Sequence, residues 1–397
     1  MKTIADKLHE RFVAKNLQAN VDDPDVSEWM EFLGRLPEAR TSVEKSYNKF
    51  LCRMHYFPRY KRFIMEFLGF FADVFIIPIT LFSNSSINKE EVHSGTLLLE
   101  RSRAVPDFSD VVPQELFQDY ENVVVIDNFN KKFGILCRET RKIWYDVVRR
   151  YPFSFFFHYW VFMELAAHSY FIKEYSPSAT AVYVNERNVA SPIITDLYES
   201  QNRKFISFMH GEYLLQLVQA HMKFSEYYVW DDSYVNMFRD ALKCEAVFIP
   251  YKPNKLKKRW NLESFKPTYY CTYYFGDETE KTIFQIAEVF SRFEKEGKKC
   301  KIRLHPRDIV HKDLIKRVFE KEKIEIEDNK NISLEESLGR TKYAVGMQTT
   351  VLFEALTEGR KIVIDDVSDP NHFRNLQDRW YRLLKSDHIL LSELINQ

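Results

Sequence analysis

The segment His305-Pro306-Arg307 places an imidazole and a guanidinium directly after a predicted strand, 300–304. Proline fixes its own φ and biases the preceding residue to extended backbone, so His305 is aimed by the chain. Both side chains can donate hydrogen bonds to phosphate oxygens. The segment therefore predicts a phosphate contact. The alternative is a loop histidine that caps a neighbouring helix.

Two adjacent hydroxyls, those of Thr349 and Thr350, follow Gly346 and precede a predicted helix at 351–358. The first N–H groups of a helix have no partner within it, and the helix dipole favours negative charge there. The pair predicts an anion site, or else Thr350 is simply the N-cap of the helix. Glu354, one turn further on, is a candidate acceptor for ribose hydroxyls or an ordinary acid of the first turns.

Candidates for proton transfer follow two earlier predicted strands. His210-Gly211-Glu212 comes after the strand 204–209, where Gly211 suits a sharp turn and Glu212 could act as a general base helped by His210. Asp231 and Asp232 follow the strand 227–230 and are either alternative bases or caps of the next helix. No spacing of acids and histidines predicts a metal site, and the pairs Asp231-Asp232 and Asp365-Asp366, which leave a magnesium site as an alternative, do not have the spacer of a DxD motif.

Strands that alternate with helices position these residues. Short apolar runs such as 123–126 are typical of buried parallel strands, and parallel sheets bind ligands beyond the carboxyl ends of their strands. The pattern predicts an α/β protein with two tandem, Rossmann-like, doubly wound domains and a helical N-terminal region. The predicted boundaries are a mainly helical region 1–115, a first doubly wound domain 116–251, a linker 252–267, a second doubly wound domain 268–370, and a C-terminal helix 371–397 that packs back across the boundary.

The composition excludes several classes of protein. The 397 residues carry 57 basic and 57 acidic side chains, and this balance argues against a protein that coats nucleic acid. Only 10 residues are glycine, and neither a GxGxxG nor a GxxxxGK[ST] loop occurs. The five cysteines are scattered and never form a CxxC pair, so we expect reduced, mostly buried thiols in a cytoplasmic protein.

The apolar segment Phe63–Phe82 is interrupted by a polar stripe at Arg62, Glu66, Gly69 and Asp73, spaced as one face of a helix. Two interpretations remain: a helix buried inside the protein, or a helix that lies in a membrane interface next to basic residues. The second predicts a peripheral contact with the inner face of the cytoplasmic membrane. Two carboxylates argue against a membrane span.

The chain has His305-Pro306 after a predicted strand, and some forty residues later it has Gly346 and the Thr349-Thr350 pair. Taken together, these motifs resemble the donor domain of bacterial GT-B glycosyltransferases. The likeness is to the sialyltransferase and capsule-polysaccharide groups. It implies two domains that face a cleft. His305, Pro306, Arg307, Gly346, Thr349, Thr350 and Glu354 would bind the donor, with a CMP-sugar favoured and no cofactor required.

The resemblance also implies an acceptor, the end of a surface glycan, held by the first domain, and inversion at the sugar carbon. An acid of that domain would be the base, here Glu212 or Asp231 and Asp232. The motif differs, because sialyltransferases have acid-acid-Gly where this chain has His210-Gly211-Glu212. The His-Gly element is also similar to capsule and teichoic-acid polymerases that use CDP-polyols. A CDP-polyol phosphotransferase and a non-catalytic glycan-assembly protein are therefore the alternatives.

Overall fold

The computed structural model describes residues 25–78, 96–101, 111–118, 120–127, 136–174, 180–182, 188–253, 266–271, 279–295, 300–305, 312–327 and 331–396. Its contacts divide these residues into two compact units. The first unit contains Asp25–His210 and Leu215–Pro253, and the second contains Gly211–Leu214 and Asn254–Gln397.

The first unit contains a six-stranded parallel sheet. Its strands are β1 (Thr96–Arg101), β2 (Asn122–Asp127), β3 (Thr180–Val182), β4 (Phe205–Phe208), β5 (Lys223–Val229) and β6 (Glu245–Pro250). Their spatial order is β2-β1-β3-β4-β5-β6. The chain reverses its winding direction between β1 and β3, and this switch point is where doubly wound sheets bind ligands.

The described helices of the first unit begin before this sheet and then alternate with its strands. They are α1 (Val26–Arg35), α2 (Ser42–His55), α3 (Arg59–Phe71), which continues as a π-helix (Ala72–Ile76), α4 (Gln114–Gln118), α5 (Arg138–Arg150), α6 (Phe155–Glu174), α7 (Ser191–Glu199), and α8 (Asp232–Asn236), which also continues as a π-helix (Met237–Ala241).

Strand β1 lies within the region that the sequence predicts to be mainly helical. It pairs with β2 over Leu97↔Val123 and its neighbours and with β3 over Leu97↔Thr180, so it is a central strand. The side chain of Leu97 is fully buried in a small cluster with Val112, Ile206 and Phe208. The alternation of strands and helices therefore begins about twenty-five residues earlier than the sequence indicates.

The second unit contains another six-stranded parallel sheet. Its strands are β7 (Lys266–Tyr270), β8 (Lys301–Arg303), β9 (Glu325–Glu327), β10 (Thr341–Gly346), β11 (Lys361–Ile364) and β12 (Ile389–Leu390). The spatial order β9-β8-β7-β10-β11-β12 is the Rossmann order, with its switch point between β7 and β10. The predicted α/β class with two doubly wound units is confirmed.

The described helices of the second unit are α9 (Thr279–Lys295), α10 (Lys312–Lys321), α11 (Leu334–Gly339), α12 (Thr350–Thr357), α13 (Pro370–Asp378) and α14 (Leu391–Ile395). The segment after residue 370 is not one helix. Helix α13 ends before Trp380, which has a φ of 61°, and the chain continues through a 3-10 turn (Arg382–Lys385) into β12. A positive φ is incompatible with a continued helix, so the chain turns back to the sheet edge.

Both units have buried apolar interiors, and most of the cysteine side chains lie in these interiors. Cys52, Cys244, Cys271 and Cys300 are buried and Cys137 is partly buried, all without a disulfide. Burial raises the pKa of Cys52 and of Cys244 to about 12. These two thiols are therefore protonated at neutral pH and act as small apolar side chains.

Candidate functional site

Helix α12 begins at the switch point of the second sheet. Strand β10 ends at Gly346, and α12 starts at Thr350 after a three-residue connection. Thr349 is the N-cap, because its Oγ1 accepts a hydrogen bond from the N–H of Val351 at 3.4 Å. The cap is thus one residue earlier than predicted, and Thr350 is the first helical residue.

Three contacts fix the connection between β10 and α12. A Cβ added at Gly346 would lie 3.1 Å from the carbonyl oxygen of Tyr270 on β7, so the two strands approach closely at this point. The Gly346 carbonyl accepts from the N–H of Asp365 at 2.9 Å, and the Met347 carbonyl accepts from the buried hydroxyl of Tyr381 at 3.0 Å. The start of α12 is therefore held rigidly by its neighbours.

The segment Gly211–Leu214 follows β4 in the chain but belongs to the second unit. The N–H of Glu212 donates to Oγ1 of Thr350 at 3.4 Å, and a Cβ at Gly211 would lie 3.4 Å from the same oxygen. Two predicted site residues, 138 positions apart, are thereby brought together at the N-terminus of α12. Glu212 is half-buried.

His305 follows β8, and its side chain is half-buried. Strand β8 pairs with β7, which pairs with β10, so the ends of β8 and β10 are two strand spacings or about 10 Å apart. Pro306 and Arg307 lie outside the described residues. Glu354 lies on α12, one turn from Thr350, and is half-buried.

One of the two predicted acids after β5, Asp231, caps a helix of the first unit. Asp231 is the N-cap of α8, since its Oδ1 accepts from the N–H of Ser233 at 2.8 Å and from the Ser233 hydroxyl. The interpretation as a helix cap is confirmed for Asp231. Asp232 is the exposed first residue of α8, and His210 is half-buried after β4.

A polar cluster that the sequence analysis missed joins α6 to α7 and to the residues just before α7. The Asn188 side chain, which follows β3, donates from Nδ2 to Oε2 of Glu164 on α6 at 3.0 Å. Nε2 of His168, one turn along α6, lies 4.0 Å from the same carboxylate oxygen, and its Nδ1 lies 3.1 Å from the Tyr198 hydroxyl. The Glu164 side chain is only 13% exposed.

Burial shifts the pKa of the acid and the pKa of the imidazole in opposite directions, because it disfavours the charged form of each group. It raises the pKa of Glu164 to about 7 and lowers the pKa of His168 to about 3. At neutral pH the histidine is neutral, and Glu164 is poised to gain or lose a proton. Glu164 and His168, one turn apart in the largely apolar helix 155–174, were the signal that could have revealed the cluster.

Within the described parts of the chain, no group of three or more His, Cys, Asp or Glu side chains is arranged to hold a metal ion.

No protein-family model matches the chain, and no curated protein matches it in sequence. Several solved structures do match in fold. A UDP-GlcNAc 2-epimerase from Methanocaldococcus jannaschii matches with a TM-score of 0.45 and 12% identity, over 76% of this chain and 90% of the epimerase. The wall teichoic acid polymerase TagF matches with a TM-score of 0.42 and 12% identity, over 85% and 88% of the two chains.

A glycosyltransferase from Rickettsia africae matches with a TM-score of 0.37 and 10% identity, over 69% of this chain and 80% of the transferase. At these identities the likeness concerns the fold alone.

Proposed function

We propose that the protein is a glycosyltransferase that binds a nucleotide-activated sugar, with a CMP-sugar favoured, at the N-terminus of α12. The observation that carries the proposal is the position of the Thr349-Thr350 pair at the switch point of a sheet in Rossmann order. Ligands of doubly wound sheets bind at this point, and helix N-termini there bind phosphate.

The donor phosphate is the anion that this helix end fits. The hydroxyl of Thr350, the first backbone N–H groups of α12 and the helix dipole all favour negative charge at one place. His305, about two strand spacings away, adds an imidazole on the same edge of the sheet. These groups stabilise the charge that builds on the leaving phosphate as the bond to the sugar breaks.

The acceptor hydroxyl requires a base, and Glu212 is the proposed one. Its backbone is tied to Thr350 at 3.4 Å, which keeps its carboxylate within one side-chain length of the proposed phosphate site. The carboxylate takes the proton as the hydroxyl attacks the sugar carbon from the face opposite the phosphate, so the configuration inverts. The acceptor, proposed to be the end of a surface glycan, binds beside this residue.

Calorimetric titration of the full chain with CMP, CDP and UDP tests the donor site. Thr350→Val keeps the shape of the side chain and removes its hydroxyl, and we expect it to weaken nucleotide binding about tenfold or more. Thr357→Val is the matched control, because Thr357 lies at the other end of α12 and its hydroxyl donates to the Glu354 carbonyl at 2.7 Å. It should leave nucleotide affinity within about twofold.

Turnover with the best-bound donor tests the catalytic roles. We expect His305→Ala to lower kcat about 100-fold, the usual loss when one donor to a developing negative charge is removed. Glu212→Gln should lower kcat with little change in nucleotide affinity, because the backbone contact to Thr350 is retained. Near-wild-type turnover in either variant would refute the role given to that residue.

The alternatives predict different products. If the protein transfers a polyol phosphate from CDP-glycerol, the acceptor hydroxyl attacks phosphorus instead of a sugar carbon at the same site. That result would favour the CDP-polyol phosphotransferase. Failure of CMP, CDP and UDP to bind at all would refute the transferase proposal and leave a non-catalytic glycan-assembly protein.

A further inference from the structure

Helix α3 and the π-helix that follows it are oriented with their polar side inward. Glu66 Oε2 accepts from the N–H of Phe156 at 3.1 Å, and Asp73 Oδ2 lies 2.6 Å from Nδ1 of the buried His158. Gly69 lies between these two acids, and a Cβ there would be only 2.4 Å from the Phe156 nitrogen. The polar stripe is therefore the surface that packs on the start of α6.

The charged side chains on this inward side contact partners within the first unit. Burial raises the pKa of Glu66, and the backbone hydrogen bond from Phe156 opposes that shift. Arg62 donates from Nε to the Phe57 carbonyl at 2.6 Å and from its terminal nitrogen to the His55 carbonyl at 3.0 Å. These contacts fix the rotation of α3 about its axis. The interpretation of Phe63–Phe82 as a helix buried inside the protein is wrong for residues 63–75, most of whose apolar side chains are exposed, and residues 79–82 lie outside the described residues.

The outward side is apolar and aromatic. Phe63 is 73% exposed and Phe67 is 54% exposed, and seven more large apolar side chains of the same segment are exposed as well. These are Tyr60, Ile64, Leu68, Phe70, Phe71, Val74 and Phe75. A contiguous apolar surface of this kind marks an interaction site. We call these nine residues the aromatic face.

Within residues 58–78, the charges that do not contact α6 are positive. Glu66 and Asp73 are the only acids between residues 58 and 78, and both contact α6. Arg59 is exposed and Lys61 is partly exposed, and by helical spacing they flank the aromatic face on opposite sides at its N-terminal end. Apolar side chains with basic residues at their margin are the composition of a helix that binds an anionic lipid surface.

We propose that the aromatic face docks on an anionic lipid bilayer, with α3 lying in the plane of the membrane interface. The aromatic rings enter the boundary between headgroups and acyl chains, while Arg59 and Lys61 contact lipid phosphates. Among the described helices, none is long and apolar enough to cross a membrane.

A second copy of the chain fits this face less well. A symmetric dimer would place the aromatic faces of two copies against each other. Arg59 and Lys61 of both copies would then surround one contact, and no acid of the segment is available to pair with them. An anionic bilayer supplies the opposite charge as well as the apolar phase.

Co-sedimentation of the full chain with extruded vesicles tests this proposal. We expect strong partitioning onto vesicles with about 30% phosphatidylglycerol and weaker partitioning onto pure phosphatidylcholine. Phe63→Ser with Phe67→Ser should lower the partition coefficient at least tenfold. Arg59→Gln with Lys61→Gln should lower binding to the anionic vesicles about fivefold per cation and abolish most of its salt dependence.

The matched control is Phe284→Ser, because Phe284 is 49% exposed on α9 in the second unit. It should partition like the wild type, and thermal unfolding should show that all these variants remain folded, since every changed side chain is exposed or partly exposed. Failure of the wild type to bind either vesicle would overturn the proposal. A wild-type dimer that the Phe63→Ser, Phe67→Ser change converts to a monomer would also overturn it, by assigning the face to a second copy.

Discussion

The Glu164 carboxyl is expected to make stability depend on pH in a direction opposite to most carboxyls. Burial raises its pKa from 4.5 to about 7, and its side chain is 13% exposed. A shift of 2.5 pKa units corresponds to about 3 kcal/mol of free energy of unfolding. This stability is fully present below pH 4.5, where both states are protonated, and is lost as the pH rises through 7.

The change that isolates this effect is Glu164→Gln. Glutamine is neutral, has the same shape, and its carbonyl can accept the same hydrogen bond from Asn188. Near pH 4.5 the variant should therefore have the stability of the wild type. At pH 8 its free energy of unfolding should be greater by about 3 kcal/mol.

The quantity to measure is the difference in free energy of unfolding between variant and wild type. The reason is that two buried histidines change stability with pH in the opposite direction to Glu164. Burial lowers the pKa of His168 to about 3 and that of His221 to about 4. Their contribution is present above pH 6.5 and is lost as the pH falls through those lower values. Between pH 4 and 7, the free energy of unfolding of the wild type therefore reflects both Glu164 and the histidines. The histidines are present in both proteins, so their contribution cancels when the wild-type value is subtracted from that of the variant.

Urea unfolding followed by tryptophan fluorescence provides the assay, since four of the six tryptophans lie in the first unit. A difference of about 3 kcal/mol moves the midpoint by about 1 M urea at pH 8. Glu115→Gln, at an exposed position on α4, is the matched control and should change stability by less than about 0.5 kcal/mol at every pH. Equal stabilities of Glu164→Gln and wild type at pH 8 would refute the reasoning, as would a difference that does not vary with pH.

Three further changes test packing in the two units, each by urea unfolding. Gly69→Ala should cost about 2 kcal/mol or more, because its Cβ would lie 2.4 Å from the Phe156 nitrogen; unchanged stability would contradict the close approach of α3 to α6. Gly359→Ala should cost about 1 kcal/mol because of its φ of +74° alone, since no atom lies within 4 Å of the added Cβ. Arg303→Met should cost about 3 kcal/mol, because it removes a partner of the buried Glu327 carboxylate at 3.4 Å; a neutral effect would mean that the remaining partners suffice.

The sheets were predictable from the sequence because buried parallel strands are short, continuous apolar runs. Residues 362–364 illustrate this pattern in a buried strand, and the run 123–126 also belongs to a strand, although β2 is at the sheet edge and Val123 is exposed. Strand β1 was missed because its apolar core is only Leu97, Leu98 and Leu99, in a region otherwise rich in polar and turn residues. Strand β12 has two residues, too few to carry a period.

The orientation of α3 shows a different limit of sequence analysis. The spacing of Glu66, Gly69 and Asp73 predicts that the helix has one polar and one apolar side. Periodicity does not determine which side meets the protein. That choice depends on Phe156 and His158, which lie more than eighty residues further along the chain and supply the polar partners.

Only part of the candidate site was predictable from the sequence, because some of its contacts join residues that are far apart in the chain. The Thr349-Thr350 pair at the start of a helix follows from local sequence alone. The contact of Glu212 with Thr350 joins residues 138 positions apart, and the Glu164 cluster joins two helices and a loop. Contacts of this kind leave no local periodic pattern.

The tie between Glu212 and Thr350 also has a consequence for biosynthesis. The ribosome must add 138 residues after Glu212 before its partner exists, which takes roughly 7–28 s at about 5–20 residues per second. Nascent chains that have completed the first sheet still have the segment Gly211–Leu214 without its hydrogen-bond partner. The proposed base is thus positioned only late in translation, and a chain that terminates early should be catalytically silent even when its first half has folded.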